Sequence, residues 1–91
     1  MQNLREEIDV IDHKILVLLK ERFDIAKSIA LFKKESKTID VFDPNREKEI
    51  IKNLKNKKLV DDVIIEDVWR EILYLSKCVQ KDIIEDNVVL K

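Results

Sequence analysis

There is no glycine in the 91-residue chain, and only one proline. Turns that need a positive φ should therefore be rare, and little interrupts a long helix. An all-α fold is expected. Charge of one sign is missing too: charged residues make up 41% of the chain but cancel to a formal -1, which argues against a general nucleic-acid binder. The one basic cluster, Lys55, Lys57 and Lys58, reads as helix-end lysines complementing a C-terminal dipole. Cys78 stands alone, so no internal disulfide and no zinc site is expected, and a reduced compartment is the default. No stretch approaches the ~18 apolar residues of a membrane span, and the first seven residues carry no signal-type apolar core. The expectation is a cytoplasmic protein with neither membrane nor nucleic-acid partners. Repeats, low-complexity blocks and linkers are lacking as well, so residues 1–91 read as one domain with a modest core.

What is present is a seam. Leu4, Ile8, Ile11, Ile15, Leu18, Arg22, Ile25, Ile29 and Phe32 step by four and three without a break, which predicts a first helix over about 4–34. One member is an arginine. A guanidinium stays charged, and left unpaired in an apolar stripe it costs several kcal/mol, so Arg22 needs an anion that no acid on the seam supplies. On the neighbouring row, Arg5 and Lys33 are linked in steps of seven through Asp12, Leu19 and Ala26. That flank reads as a site for a small polyanion. At 1.5 Å per residue the helix is about 47 Å long, whereas a compact globule of this length has a radius of gyration of about 12 Å. Such a helix overhangs its own domain. An antiparallel pairing through Leu16 to Leu19 of two copies would bring Arg5 of one toward Arg22 and Lys33 of the other, which predicts a homodimer with a shared site. The competing reading is an intramolecular three-helix bundle with Arg22 snorkelling to solvent. His13 falls off the seam and reads as a solvated residue.

Between Glu35 and Phe42 the helical period lapses, and a connecting loop is expected there. Asp43-Pro44 then gives a start signal, an acid at the N-cap and proline where its missing N–H is harmless. The second helix is expected over 44–55, with Arg46 and Glu47 early and Ile50, Ile51 and Leu54 as its apolar stripe. Glu47 could simply complement the dipole, and Arg46 could pair with a neighbouring acid. A third helix is expected over 62–85, its main apolar face Val63, Val68, Ile72, Leu75 and Val79, broadened by Trp69, Leu73 and Ile83. Ser76 and Gln80 sit at the edge of that face, and the tail from Asp86 should fray. A neutral amide there can donate without adding charge, although this helix taken alone favours an exposed surface role for Gln80.

A glycine-rich phosphate loop, metal-spaced Cys and His, and a Ser/His/Asp set are all missing. The remaining guanidinium, ammonium, amide and single carboxylate suit catalysis by holding a dianion in shape and stabilising charge as it develops.

The runs Leu4-Arg5-Glu6-Glu7-Ile8-Asp9-Val10-Ile11-Asp12, Leu18-Leu19-Lys20-Glu21-Arg22, Ile29-Ala30-Leu31-Phe32-Lys33 and Asp43-Pro44-Asn45-Arg46-Glu47, with Ser76 and Gln80, closely resemble the all-helical AroQ class of chorismate mutases. The likeness spans residues 4 to about 84. It implies an intertwined dimer of three-helix subunits that converts chorismate to prephenate without a cofactor. It also implies that Arg22, with Arg5 from the other chain, grips the substrate carboxylates, that Lys33 and Gln80 donate to the ether oxygen, and that Glu47 accepts from the ring hydroxyl. Asp43, Arg46 and Ser76 fall on positions that line the pocket or order its charges. The loop after Lys33 is one residue longer than the bacterial pattern, which bears on Asp43. One rival keeps the fold, a lyase releasing pyruvate from isochorismate, whose family lacks an acid at the Glu47 position; a rival of another class is a non-catalytic helical dimerisation or sensory module whose cations merely bind an aromatic-pathway ligand. A third reading is a mutase domain that also regulates a fused enzyme.

Overall fold

The computed structural model describes residues 1–37 and 43–89, and side chains as far as Glu85. It contains three helices, α1 (Gln2–Glu35), α2 (Pro44–Asn56) and α3 (Asp62–Val89), and no strand among the described residues. The all-α expectation is met. Each helix runs further than its periodicity suggested, because no glycine or proline lies near the ends to stop it. α1 starts two residues before Leu4 and α2 ends one after Lys55. The tail expected to fray from Asp86 instead continues α3 to Val89. The expected loop is seen only at its start, in the turn at Ser36 and Lys37, since residues 38–42 lie outside the described residues.

Without glycine, two helix exits fall to lysine. Lys37 and Lys58 hold φ of 61° and 59°, each donating its N–H three residues back, to the carbonyls of Lys34 and Lys55. The start of α2 follows its sequence signal: the Asp43 carboxylate accepts from the Arg46 N–H at 3.1 Å, with Pro44 in the first turn.

Among the described residues α1 and α2 both pack on α3 and not on one another. Ala26 and Ala30 are the buried residues of α1, and their small side chains let α3 approach closely. The facing row of α3 is Ile65, Trp69, Leu73 and Ser76, of which Ile65, Leu73 and Ser76 are buried. This corrects the face read from the sequence. Val63, Val68 and Leu75 stay exposed, Ile72 and Val79 are half-buried, and the packing falls to Leu73 of the broadening and to Ile65, which was not on the expected face, because α3 is apolar on more than one side and period alone does not say which side meets α1.

The core of the single chain is correspondingly small: Ala26, Ala30, Ile65 and Leu73 are its buried apolar residues. Leu4, Ile8, Ile11, Leu18, Ile25 and Phe32 are all more than half exposed, Phe32 at 71%. The molecule measures 52 × 30 × 16 Å with a radius of gyration of 16.3 Å, against about 12 Å for a compact globule of this length. Its long axis matches α1, which at 34 residues is about 51 Å long. No helix among the described residues is long and apolar enough to cross a membrane.

Candidate active site

Because α1 and α2 lean on α3 with no close backbone approach to each other among the described residues, a gap is left between them, and α3 forms its floor. The resulting cleft has a volume of about 410 Å³. α1 lines it with Arg22, Ile25, Ala26, Ile29 and Lys33; the start of α2 with Asp43, Arg46, Glu47 and Ile50; and α3 with Leu73, Ser76, Lys77 and Gln80. Seven of the eight site residues read from the sequence thus share one cavity: Arg22, Lys33, Asp43, Arg46, Glu47, Ser76 and Gln80. Arg5 does not join them. It lies 17 residues before Arg22 on the same straight helix, about 25 Å away along the axis, and its side chain is exposed.

Arg22 is half-buried and makes no hydrogen bond or ion pair with another described residue. Burial, and then the charge of Arg46 across the cleft, push its pKa down; Arg46 has Glu49 as its ion-pair partner, whereas Arg22 has none among the described residues. A guanidinium does not respond by deprotonating. It responds by taking an anion, and this is the strongest electrostatic demand in the cleft.

On the last turn of α1, Lys33 donates from Nζ to the side-chain oxygen of Gln80 at 3.3 Å. An ammonium only donates, so its partner must be Oε1, which leaves the Gln80 NH₂ as a donor. The Lys33 ammonium has three hydrogens and keeps two for other acceptors. Nearby, Lys34 ties the same end of α1 to α3 by donating to the Ile83 carbonyl at 2.9 Å. The register of the two donors is thereby fixed from both sides.

The opposite wall comes from the first turn of α2. Glu47 is half-buried and lies 3.2 Å from Lys77 Nζ through Oε2. Arg46 pairs with Glu49 at 2.6 Å on an exposed surface, the bland role its sequence position allowed, while still lining the cleft. Asp43 is engaged as the cap of α2, and Ser76 is buried in the floor. Lys77 was not singled out in the sequence. The available signal was its place one turn before Gln80, which puts both on one side of α3.

Three seam residues, Arg22, Ile25 and Ile29, also line the cleft, so the cavity opens onto the uncovered apolar face of α1. Four cations and two carboxylates surround it, an excess of positive charge that suits a small dianion.

Residues 4–81 match the family described as chorismate mutase type II. A chorismate mutase of Methanocaldococcus jannaschii is 35% identical over 90 residues, covering 96% of this chain and 90% of that protein. A bifunctional chorismate mutase/prephenate dehydratase of Aquifex aeolicus is 34% identical over 89 residues, covering 91% of this chain but only 24% of the longer protein. No solved structure matches the chain.

Proposed function

The chain belongs to the chorismate mutase type II family, and from that premise we propose that its cleft holds chorismate between Arg22 and the Lys33–Gln80 pair, with a second copy of the chain lending Arg5. Members of the family convert chorismate to prephenate, a step toward phenylalanine and tyrosine, and the chain is accordingly an isomerase. In this Claisen rearrangement one ether C–O bond breaks as one C–C bond forms, and nothing leaves. No nucleophile or proton relay is required of the protein.

Each residue then has a physical task. Arg22 and Arg5 of the second copy bind the two substrate carboxylates and hold a flexible dianion in its reactive conformer. Lys33 and the Gln80 NH₂ donate to the ether oxygen, where negative charge grows as the bond stretches. Glu47 accepts from the ring hydroxyl, while Arg46, Asp43 and Ser76 shape the pocket. A ~10⁶-fold acceleration corresponds to about 8 kcal/mol. Hydrogen bonds to charged groups contribute about 1.5–3 kcal/mol each, so two on the ether oxygen supply part and conformational restriction the remainder. The observation that carries the assignment is the 3.3 Å contact between Lys33 and Gln80 in the same cavity as an Arg22 with no partner among the described residues.

Two features support an intertwined homodimer. The chain exposes 7569 Å², whereas a compact monomer of this mass exposes about 5500 Å². The excess, roughly 2000 Å² per chain, is the scale of an obligate interface, and the apolar seam of α1 that borders the cleft is part of the exposed surface. The proposal places the protein in the cytoplasm, on the ground that Cys78 has no second thiol in the chain to oxidise against.

The direct test follows chorismate absorbance with purified protein alongside a pyruvate assay. Chorismate should disappear without pyruvate release. Pyruvate from isochorismate as the dominant product would move the chain to the lyase reading, and no consumption at all would sink the assignment.

A further inference from the structure

Lys77 has no part in the scheme above, yet it lies inside the cleft, one turn before Gln80 on the floor helix. Its Nζ is 3.2 Å from Glu47 Oε2, and the two side chains are 29% and 25% exposed. We infer that Lys77 is a positioning residue, whose ammonium holds the Glu47 carboxylate so that its second oxygen is presented to the substrate hydroxyl. The inference rests on reading the cleft as the site of the rearrangement.

A glutamate side chain has three rotatable bonds, and on the first turn of α2 nothing in its own helix selects the rotamer that reaches the cleft. Lys77 supplies that selection from another helix. The contact runs through Oε2, and a carboxylate with two oxygens can still accept at Oε1. Lys77 cannot replace Glu47, because an ammonium has no lone pair for a hydroxyl hydrogen. It also offsets a negative charge that would otherwise repel an incoming dianion. The pair is shielded on most sides, so solvent screens it less than the exposed Lys20–Asp24 or Arg46–Glu49 pairs.

The alternative is a staple between α2 and α3, the role that Lys55 and Glu66 fill further along the same two helices. A staple would alter stability and leave the chemistry alone. The two are separated by kinetics on Lys77→Met, Lys77→Arg, Glu47→Gln and the Lys77→Met/Glu47→Gln double variant, with Lys55→Met as the staple control and thermal midpoints recorded for all. Lys77→Met should lower kcat about tenfold, in the range of coupling between residues in contact. Lys77→Arg, which keeps a donor cation, should recover part of that loss. In the Glu47→Gln background, Lys77→Met should change kcat by less than about twofold, because the carboxylate it positions is gone. Should Lys77→Met fail to fold, Lys77→Gln carries the same comparison.

Equal losses in both backgrounds would overturn the inference, since Lys77 would then act without Glu47. So would unchanged kcat, or a loss no larger than Lys55→Met gives at matched stability. An inactive wild-type protein would overturn the reading of the cleft and this inference together, whereas every other adverse outcome concerns Lys77 alone.

Discussion

The Lys33 ammonium on the last turn of α1 and the Gln80 amide on α3 meet at 3.3 Å, 47 residues apart in sequence. Each orients the other, and together they aim two kinds of donor into one space. Removing the ammonium should therefore remove chemistry and leave architecture. Lys33→Ala should lower kcat by roughly 10²–10³-fold, the loss typical of one preorganised donor at a developing oxyanion. Circular dichroism and dimer mass should match the wild type, and an active Lys33→Ala protein would take Lys33 out of the mechanism.

Arg5 lies about 25 Å along α1 from Arg22, so a single chain cannot complete the proposed carboxylate clamp. Arg5→Ala and Arg22→Ala proteins should each be nearly inactive. Mixed and refolded together, they should regain up to one competent site per mixed dimer. Verified mixed dimers with no recovered activity would rule out donation across the interface.

Glu47→Gln keeps the shape of the side chain and removes its charge. Binding of an anionic transition-state analogue, measured by calorimetry, should weaken less than turnover falls, because the carboxylate repels anions as well as serving as the proposed acceptor of the hydroxyl. Equal losses would point to a structural role for Glu47.

Lys58 carries a left-handed φ of 59° at the exit of α2, where a Cβ costs about 1 kcal/mol and glycine is the usual solution. Lys58→Gly should raise stability by up to about 1 kcal/mol, less the entropy glycine adds to the unfolded chain. A urea midpoint that does not rise would show that the turn carries no such strain.

Glu66 is held below the usual carboxylate range, first by its hydrogen bond to Lys55 and then by the charge of that lysine. A depressed folded value means that the contribution is complete above the ordinary glutamate value of 4.5 and is lost as pH falls through the folded one. Wild type should be more stable than Lys55→Met at pH 7, and the gap should close at acidic pH. A gap that persists well below the carboxylate range would mean that Lys55 stabilises by packing its stem.

Much of this was legible in the sequence because the signals were local or periodic. Asp43-Pro44 marked the start of α2, and the run from Leu4 to Phe32 gave both α1 and the face it leaves open. The cleft residues could be named because they carry polar chemistry at positions that resemble a family. Lys77 escaped because its significance lies in a contact with Glu47 on a different helix, and no spacing within α3 encodes that partner. The same limit explains the choice of Val63, Val68 and Leu75 over Ile65 and Leu73. An apolar stripe states that something will cover it, and the small residues Ala26 and Ala30 of another element decide what does.

Among the described residues the two walls of the cleft make no close backbone approach to one another, and both are seated on α3, which sets how far apart they stand. The span between Arg22 and Arg46 is thus set by the residues of α3 that form the floor, Leu73 and Ser76 among them. Enlarging Ser76 or trimming Leu73 should retune the width offered to a ligand, and selectivity among dicarboxylates of different girth should follow side-chain size at these two uncharged positions.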